Sequence, residues 1–163
     1  MSTRTHRVRR LAVAACAAPL LFTGAAAGVA GAATAPDTVR DSNAGEIVSL
    51  VNAERAKANC EPLTVNPKLT QAAQAHAEDM AKNNLTGHTG SDGSNEEARL
   101  AKVDYKWSAW GENVSSGFPD SKAHVEGWLK SAPHKGAMLN CNFTETGVGV
   151  SGDRAVQMFA RPM

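Results

Sequence analysis

The first 32 residues decide how much of this chain is available to fold. Arg4, Arg7, Arg9 and Arg10 make a basic start, Leu11 to Val29 is an apolar run rich in Ala and Leu, and Ala30-Gly31-Ala32 sets small residues at its end. Charge, apolar run and small-residue site in that order form a secretory signal peptide, with cleavage expected after Ala32. A permanent membrane anchor fits less well, because the run carries Gly and Pro and ends in a cleavage pattern. The expectation is a freely secreted, extracellular protein with no stable membrane insertion.

Cleavage there leaves 131 residues, enough for one domain around a single core. Taking the four signal arginines from the 17 basic residues leaves 13 against 16 acids, a net charge near −3. With no basic cluster and no basic amphipathic helix, nucleic acid and anionic membranes are excluded as main partners. Cys16 departs with the signal, so the mature chain keeps only Cys60 and Cys141, an even pair suited to an oxidising compartment. A disulfide between them would close a loop of 81 residues and stabilise the fold by roughly 4 kcal/mol on the chain-entropy estimate. Two free thiols are the alternative.

Hydrophobic periodicity divides the remainder into alternating helices and strands. Residues 33–43 read as a flexible, polar lead-in and residues 44–163 as the domain. A first helix is expected from about Ala44 to Ala58 on the stripe Ile47, Leu50, Val51 and Ala58. Asn66-Pro67 reads as the N-cap and first residue of a second helix that reaches about Asn83, with Leu69, Ala73, His76 and Met80 facing inward. A short acidic helix over Asn95 to Lys102 precedes a β-prone stretch, Tyr105 to Ser115. A fourth helix is expected from about Lys122 to Ser131, and Gly147 to Phe159 reads as a β-hairpin about Ser151-Gly152-Asp153. Helices packed outside a small antiparallel sheet, an α-β-α sandwich, are the economical assembly.

Three residues carry the chemistry. His88 lies in Gly87-His88-Thr89-Gly90, Glu112 in Gly111-Glu112-Asn113, and His134 in Ala132-Pro133-His134-Lys135. Imidazoles and a carboxylate can hold a divalent metal or relay a proton, and the Gly and Pro beside the histidines suggest presentation from turns. Glu112 is equally suited to tying sheet to helix by hydrogen bonds. His76, on an apolar stripe, is expected to be a core histidine, whereas His124 is assigned to a solvated helix face. Trp107 and Trp110 suit an apolar ligand wall or packing beneath the sheet.

Taken in order, Asn52-Ala53-Glu54-Arg55, His76-Ala77-Glu78-Asp79-Met80, Gly87-His88-Thr89, Gly111-Glu112-Asn113-Val114, Trp128, His134, Met138-Leu139-Asn140 and Gly147-Val148-Gly149-Val150 resemble the bacterial branch of the CAP superfamily, the SCP-like extracellular domains. The resemblance runs from about Glu46 to Phe159. It implies an α-β-α sandwich with an open cleft lined by His88, Glu112 and His134, the two histidines being the implied metal ligands. A second cleft glutamate found in many eukaryotic members falls here on Ser131. Glu126, five residues earlier, is not on the same helical face and is not substituted for it.

Two His without an evident third protein ligand point to weak, exchangeable zinc. No His-Glu-x-x-His helix and no Gly-x-Ser-x-Gly elbow is present. The resemblance implies a range from lipid or sterol binding to antagonism between organisms and proteolysis, and within it the leading expectation is a binding module for a lipid or cell-envelope ligand, expected to be a monomer. The alternative is a metal-dependent hydrolase, a peptidase or esterase, in which Glu112 is the candidate catalytic base.

Overall fold

The computed structural model describes residues 34–163, with side chains from Asn43 onward. The expected signal peptide, residues 1–32, lies outside the described residues. Among the described residues no helix is long and apolar enough to cross a membrane.

The elements, in chain order, are α1 (Thr34–Lys57), β1 (Thr64–Val65), α2 (Pro67–Asn83), α3 (Glu96–Lys102), β2 (Trp107–Ser116), α4 (Ser121–Lys130), α5 (Ala132–Met138), β3 (Glu145–Ser151) and β4 (Arg154–Pro162). Helix α1 starts at Thr34 rather than near Ala44, so the helix runs through the polar segment expected to be a loose lead-in. Pro36 falls in its first turn, where a missing backbone N–H breaks no helical bond. Its last residue is Lys57, and Ala58 is exposed in the following turn. Helix α2 keeps its expected bounds: Asn66 caps it by accepting from the Lys68 N–H, and Asn84 ends it in the left-handed conformation. One helix was not anticipated. Ala132–Met138 continues the chain beyond α4 as α5, so His134 sits in a first helical turn rather than in a loop, and Pro133 is compatible with that position.

The four strands order as β1-β3-β4-β2, with β2 at one edge. The sheet is antiparallel except for its other edge, where two residues of β1 pair parallel with β3. Because successive strand residues face opposite sides, β4 feeds two cores. Ala155 and Phe159 join Ile47, Val51, Val125, Trp128 and Met138 on the α1, α4 and α5 side. Val156, Met158 and Ala160 join Leu69, Ala73, Ala77, Met80 and Leu100 beneath α2 and α3. This is the expected sandwich.

Two contacts fix these layers. A Cβ on Gly147 would lie 2.1 Å from the backbone of Leu69 and Thr70, and one on Gly149 would lie 2.3 Å from the backbone of Gln74. The glycines thus let α2 rest directly on β3. On the opposite side Arg55 is fully buried, and among the described residues no carboxylate pairs with it. Its guanidinium instead donates to the carbonyls of Glu61 (3.0 Å), Met138 (2.8 Å), Asn140 (3.0 Å) and Phe143 (3.0 Å), tying the end of α1 to the segment after α5. The Cys60–Cys141 disulfide joins the same two segments, with the Cα atoms 4.9 Å apart.

Arg55→Leu strips these bonds from four carbonyls at once. It should lower stability by at least about 3 kcal/mol. A urea midpoint that falls with an unchanged slope would show this; a midpoint within experimental error of the wild type would contradict the clamp.

Candidate functional site

The site forms along the β2 edge, where the two layers meet. Adjacent strand residues address different layers, and Glu112 and Asn113 do so here. Glu112 pairs in register with Met158 and faces the α2 and α3 layer; Asn113 pairs with Gln157 and faces the other. Gly-Glu-Asn is thus the middle of a strand.

Glu112 has a fully buried side chain, and a buried carboxylate needs compensating charge. Arg99, on α3, provides it: one guanidinium nitrogen donates to both carboxylate oxygens, at 3.0 and 2.8 Å. Another donates to the Ser94 carbonyl at 3.3 Å, anchoring the preceding loop. His88 completes the group from that loop, with Nδ1 2.8 Å from Glu112 Oε1 and 3.4 Å from Glu96 Oε1. Its side chain is 43% exposed, so the group is solvent-accessible on one side only. The position of the loop follows from His76, whose Nε2 lies 3.0 Å from the Gly87 carbonyl.

His134 approaches from the opposite layer. Asn113 donates to its backbone carbonyl at 3.0 Å, so the residue after Glu112 positions the second histidine. The ordered environment shifts the two imidazoles in opposite directions. Hydrogen bonding to Glu112 raises the His88 pKa above its ordinary value, outweighing burial, with further support from the Glu112 and Glu96 charges and opposition from Arg99. Burial lowers that of His134, and the charge of His88 lowers it further. The nearest set of metal-ligating atoms is His88, Glu96 and Glu112, all within 4.8 Å of one another. His134 is not in that set.

Some residues stand where they were expected and others do not. His76 is a core histidine, as expected, and burial followed by the Arg99 charge lowers its pKa. His124 is not on a solvated face. It is buried, shares a 2.7 Å hydrogen bond with Ser115 Oγ, and packs beside Phe118 and Trp128, because α4 turns this face toward β2. Trp107 and Trp110 meet edge to face at 6.1 Å and pack against the α2 and α3 core while staying partly exposed. Ser131 only joins α4 to α5, and Glu126 is an exposed partner of Lys122. The additional site glutamate is Glu96, which sequence reasoning passed over together with Arg99. Their separation of three on a short helix puts both on one face, and that was the available signal.

A family model described as CAP, the cysteine-rich secretory protein family, matches residues 48–160. The chain belongs to this family. Two Bacillus subtilis proteins are similar to this CAP domain: the uncharacterized membrane protein YlbC, 31% identical over 76% of this chain, and the uncharacterized protein YkwD, 31% identical over 70%. The chain spans only 36% and 45% of their respective lengths. Among solved structures, an extracellular SCP-domain protein of Bacillus anthracis superposes with a TM-score of 0.75 at 30% identity, over 77% of this chain and 42% of that one.

The opposed imidazole environments have a measurable consequence. In an NMR titration His88 should show a midpoint above about 6.5, and His134 one below it. Because the folded pKa of His88 is raised, its contact with Glu112 contributes stability below the ordinary pKa, and that contribution is lost as pH rises through the folded value. Glu112→Gln should move the His88 midpoint down; a wild-type midpoint at or below the ordinary value would contradict the geometry.

Proposed function

We propose that this CAP domain is exported and acts outside the cell as a ligand-binding module, with residues 1–32 as its removable address. The carrying observation is the one-sided exposure of His88 over buried Glu112 and Arg99 at the sheet edge. Such a group can present the His88 imidazole and the partly exposed Glu96 carboxylate to an incoming ligand without local unfolding. The disulfide and the similarity to an extracellular SCP-domain protein support the export reading. The proposed ligand is a lipid or another cell-envelope molecule, for which partly exposed Trp107 and Trp110 offer an apolar border.

The same cleft fits a divalent cation weakly. His88, Glu96 and Glu112 supply one nitrogen and two oxygen donors, a set suited to zinc. Arg99 already engages both Glu112 oxygens, and the proton favoured on His88 competes with metal. Two carboxylates offset by one guanidinium leave a single net negative charge, so binding is weak and exchangeable. A bound ion would neutralise Glu96 and Glu112 and offer open positions to a ligand oxygen. His134, whose backbone carbonyl is held by Asn113 across the edge, would contact that ligand rather than complete the set.

Hydrolysis is the weaker reading. A general base must take a proton from water, and the Glu112 carboxylate is buried and held on both oxygens by Arg99. The arrangement favours holding charge over transferring a proton.

Zinc titration by calorimetry should give about one site per chain, strengthening as pH rises and His88 loses its proton. Both His88→Ala and Glu96→Gln should abolish the heat, whereas His134→Ala should retain it. Absence of heat in the wild type would remove the metal. The ligand reading is tested separately with lysophosphatidylcholine below its micelle concentration. Saturable change in tryptophan emission that persists in His88→Ala supports it, and no change overturns the lipid assignment.

A further inference from the structure

The first turns of α4 are held to the sheet by a titratable side chain. His124 is 2% exposed, its Nδ1 lies 2.7 Å from Ser115 Oγ on β2, and its ring packs beside those of Phe118 and Trp128. The two ends of α4 are fastened differently. At the far end Trp128 is buried and its indole N–H donates to the Val114 carbonyl, a bond between groups that do not titrate. At the near end Asp120 caps the Ala123 N–H at 2.8 Å, and Ser121 Oγ donates to the Asn43 carbonyl at 3.2 Å. The chain enters this end through Gly117, whose φ of 79° is the left-handed conformation that glycine adopts freely.

His124 also borders solvent space. Together with Asn43, Ile47, Asp120, Val150 and Gly152 it lines a notch of about 10 Å³, room for about one water. Either tautomer of the neutral ring serves the Ser115 bond, because a hydroxyl both donates and accepts, whereas a second ring proton makes the buried ring a cation. The charges that act on it come from two elements: Asp120 at the start of its own helix, and Asp153 on the turn between β3 and β4, which is itself paired with Arg154 of β4. Helix α1 brings Asn43 and Ile47 to the notch and β2 brings Ser115 to the ring, none of them titratable, while Lys122 and Glu126 pair with each other on the exposed face of α4. Burial lowers the His124 pKa below its ordinary value, and the Asp153 and Asp120 charges offset only part of this. A charged ring is therefore disfavoured inside and favoured outside, where those carboxylates can meet it in water.

We propose that His124 is an acid-sensitive latch: neutral, it holds residues 117–124 against β2, and protonated it leaves Ser115 for the side of Asp120 and Asp153, opening that segment at Gly117 while Trp128 keeps the rest of α4 in place. Acid favours the open segment because, between the folded midpoint of His124 and about pH 6.5, it binds one proton more than the closed one. Opening then grows by up to about tenfold per pH unit as pH falls through that window, and the gain stops below the folded midpoint.

Amide hydrogen exchange, followed residue by residue by NMR from pH 7.5 to 5 and corrected for the intrinsic pH dependence of exchange, tests the latch. Protection at residues 123–125 should be constant above about pH 6.5 and fall by up to about tenfold per pH unit below it. The Trp128 indole N–H and the β4 amides should keep theirs. His124→Gln, whose amide can still meet Ser115 but cannot titrate, should make the protection independent of pH. If that variant does not fold, the wild type decides, because the fall must continue down to the midpoint of the His124 ring signals. Constant wild-type protection, a loss that persists in His124→Gln, a plateau above the His124 midpoint, or an equal loss across β4 would each overturn the latch.

Discussion

The buried pair between Arg99 and Glu112 holds the functional edge of this domain together. Glu112 is fully buried in the side chain and Arg99 nearly so, and each would be a costly isolated charge. A pair of this kind is weak evidence for net stability, because removing two ions from water offsets most of their attraction. Its effect here is positional. Helix α3 has only seven residues, too few to hold its own place, and Leu100 together with Arg99 fastens it to the sheet. His88 then rests on a Glu112 oxygen that Arg99 has already oriented. Break the pair, and helix, loop and imidazole lose their common reference.

Strand periodicity explains how β2 reaches both layers. On an edge strand, consecutive side chains leave on opposite sides, so Glu112 and Asn113 reach different helices from one short segment. Glu112 governs the His88 side through charge, and Asn113 governs the His134 side through one hydrogen bond. The two imidazoles therefore sit in different protonation environments, one stabilised as a cation and the other disfavoured as one.

Local signals in the sequence were sufficient for most elements. Asn66-Pro67 and Asn95 are caps whose geometry is dictated by neighbouring residues, and α2 and α3 begin where these caps require. The family resemblance identified His88, Glu112 and His134, but the ion-pair partner and Glu96 were hidden because their roles depend on sequence-distant strand β2. His124 was misassigned for a related reason: a histidine on a helix shows no sign in sequence that Ser115 will meet it from a strand. Helix α5 and the early start of α1 escaped detection because both contain proline in a first turn, where it reads as a breaker yet costs the helix nothing. Arg55 sat within a recognised motif, but its four carbonyl partners come from the end of α5 and from irregular segments that periodicity does not describe.

Helix α2 links the sheet to a recess of about 370 Å³ beside α3 through its small residues, which serve two different ends. Ala73 and Ala77 face the core, and together with Gly147 and Gly149 they allow the helix backbone to lie almost on β3. Gln74 locks that seat by pairing with both backbone groups of Val150, at 3.1 and 2.9 Å. Having been drawn so close to the sheet, α2 presents Ala72 and Ala75 toward α3, and these short side chains leave unfilled the volume that longer ones would occupy. His76, on the same helix, both holds the Gly87 carbonyl that sets the His88 loop and lines the recess. The close approach that makes the sandwich tight on one side of α2 thus accompanies the space on its other side, which Arg99 also lines while it holds Glu112.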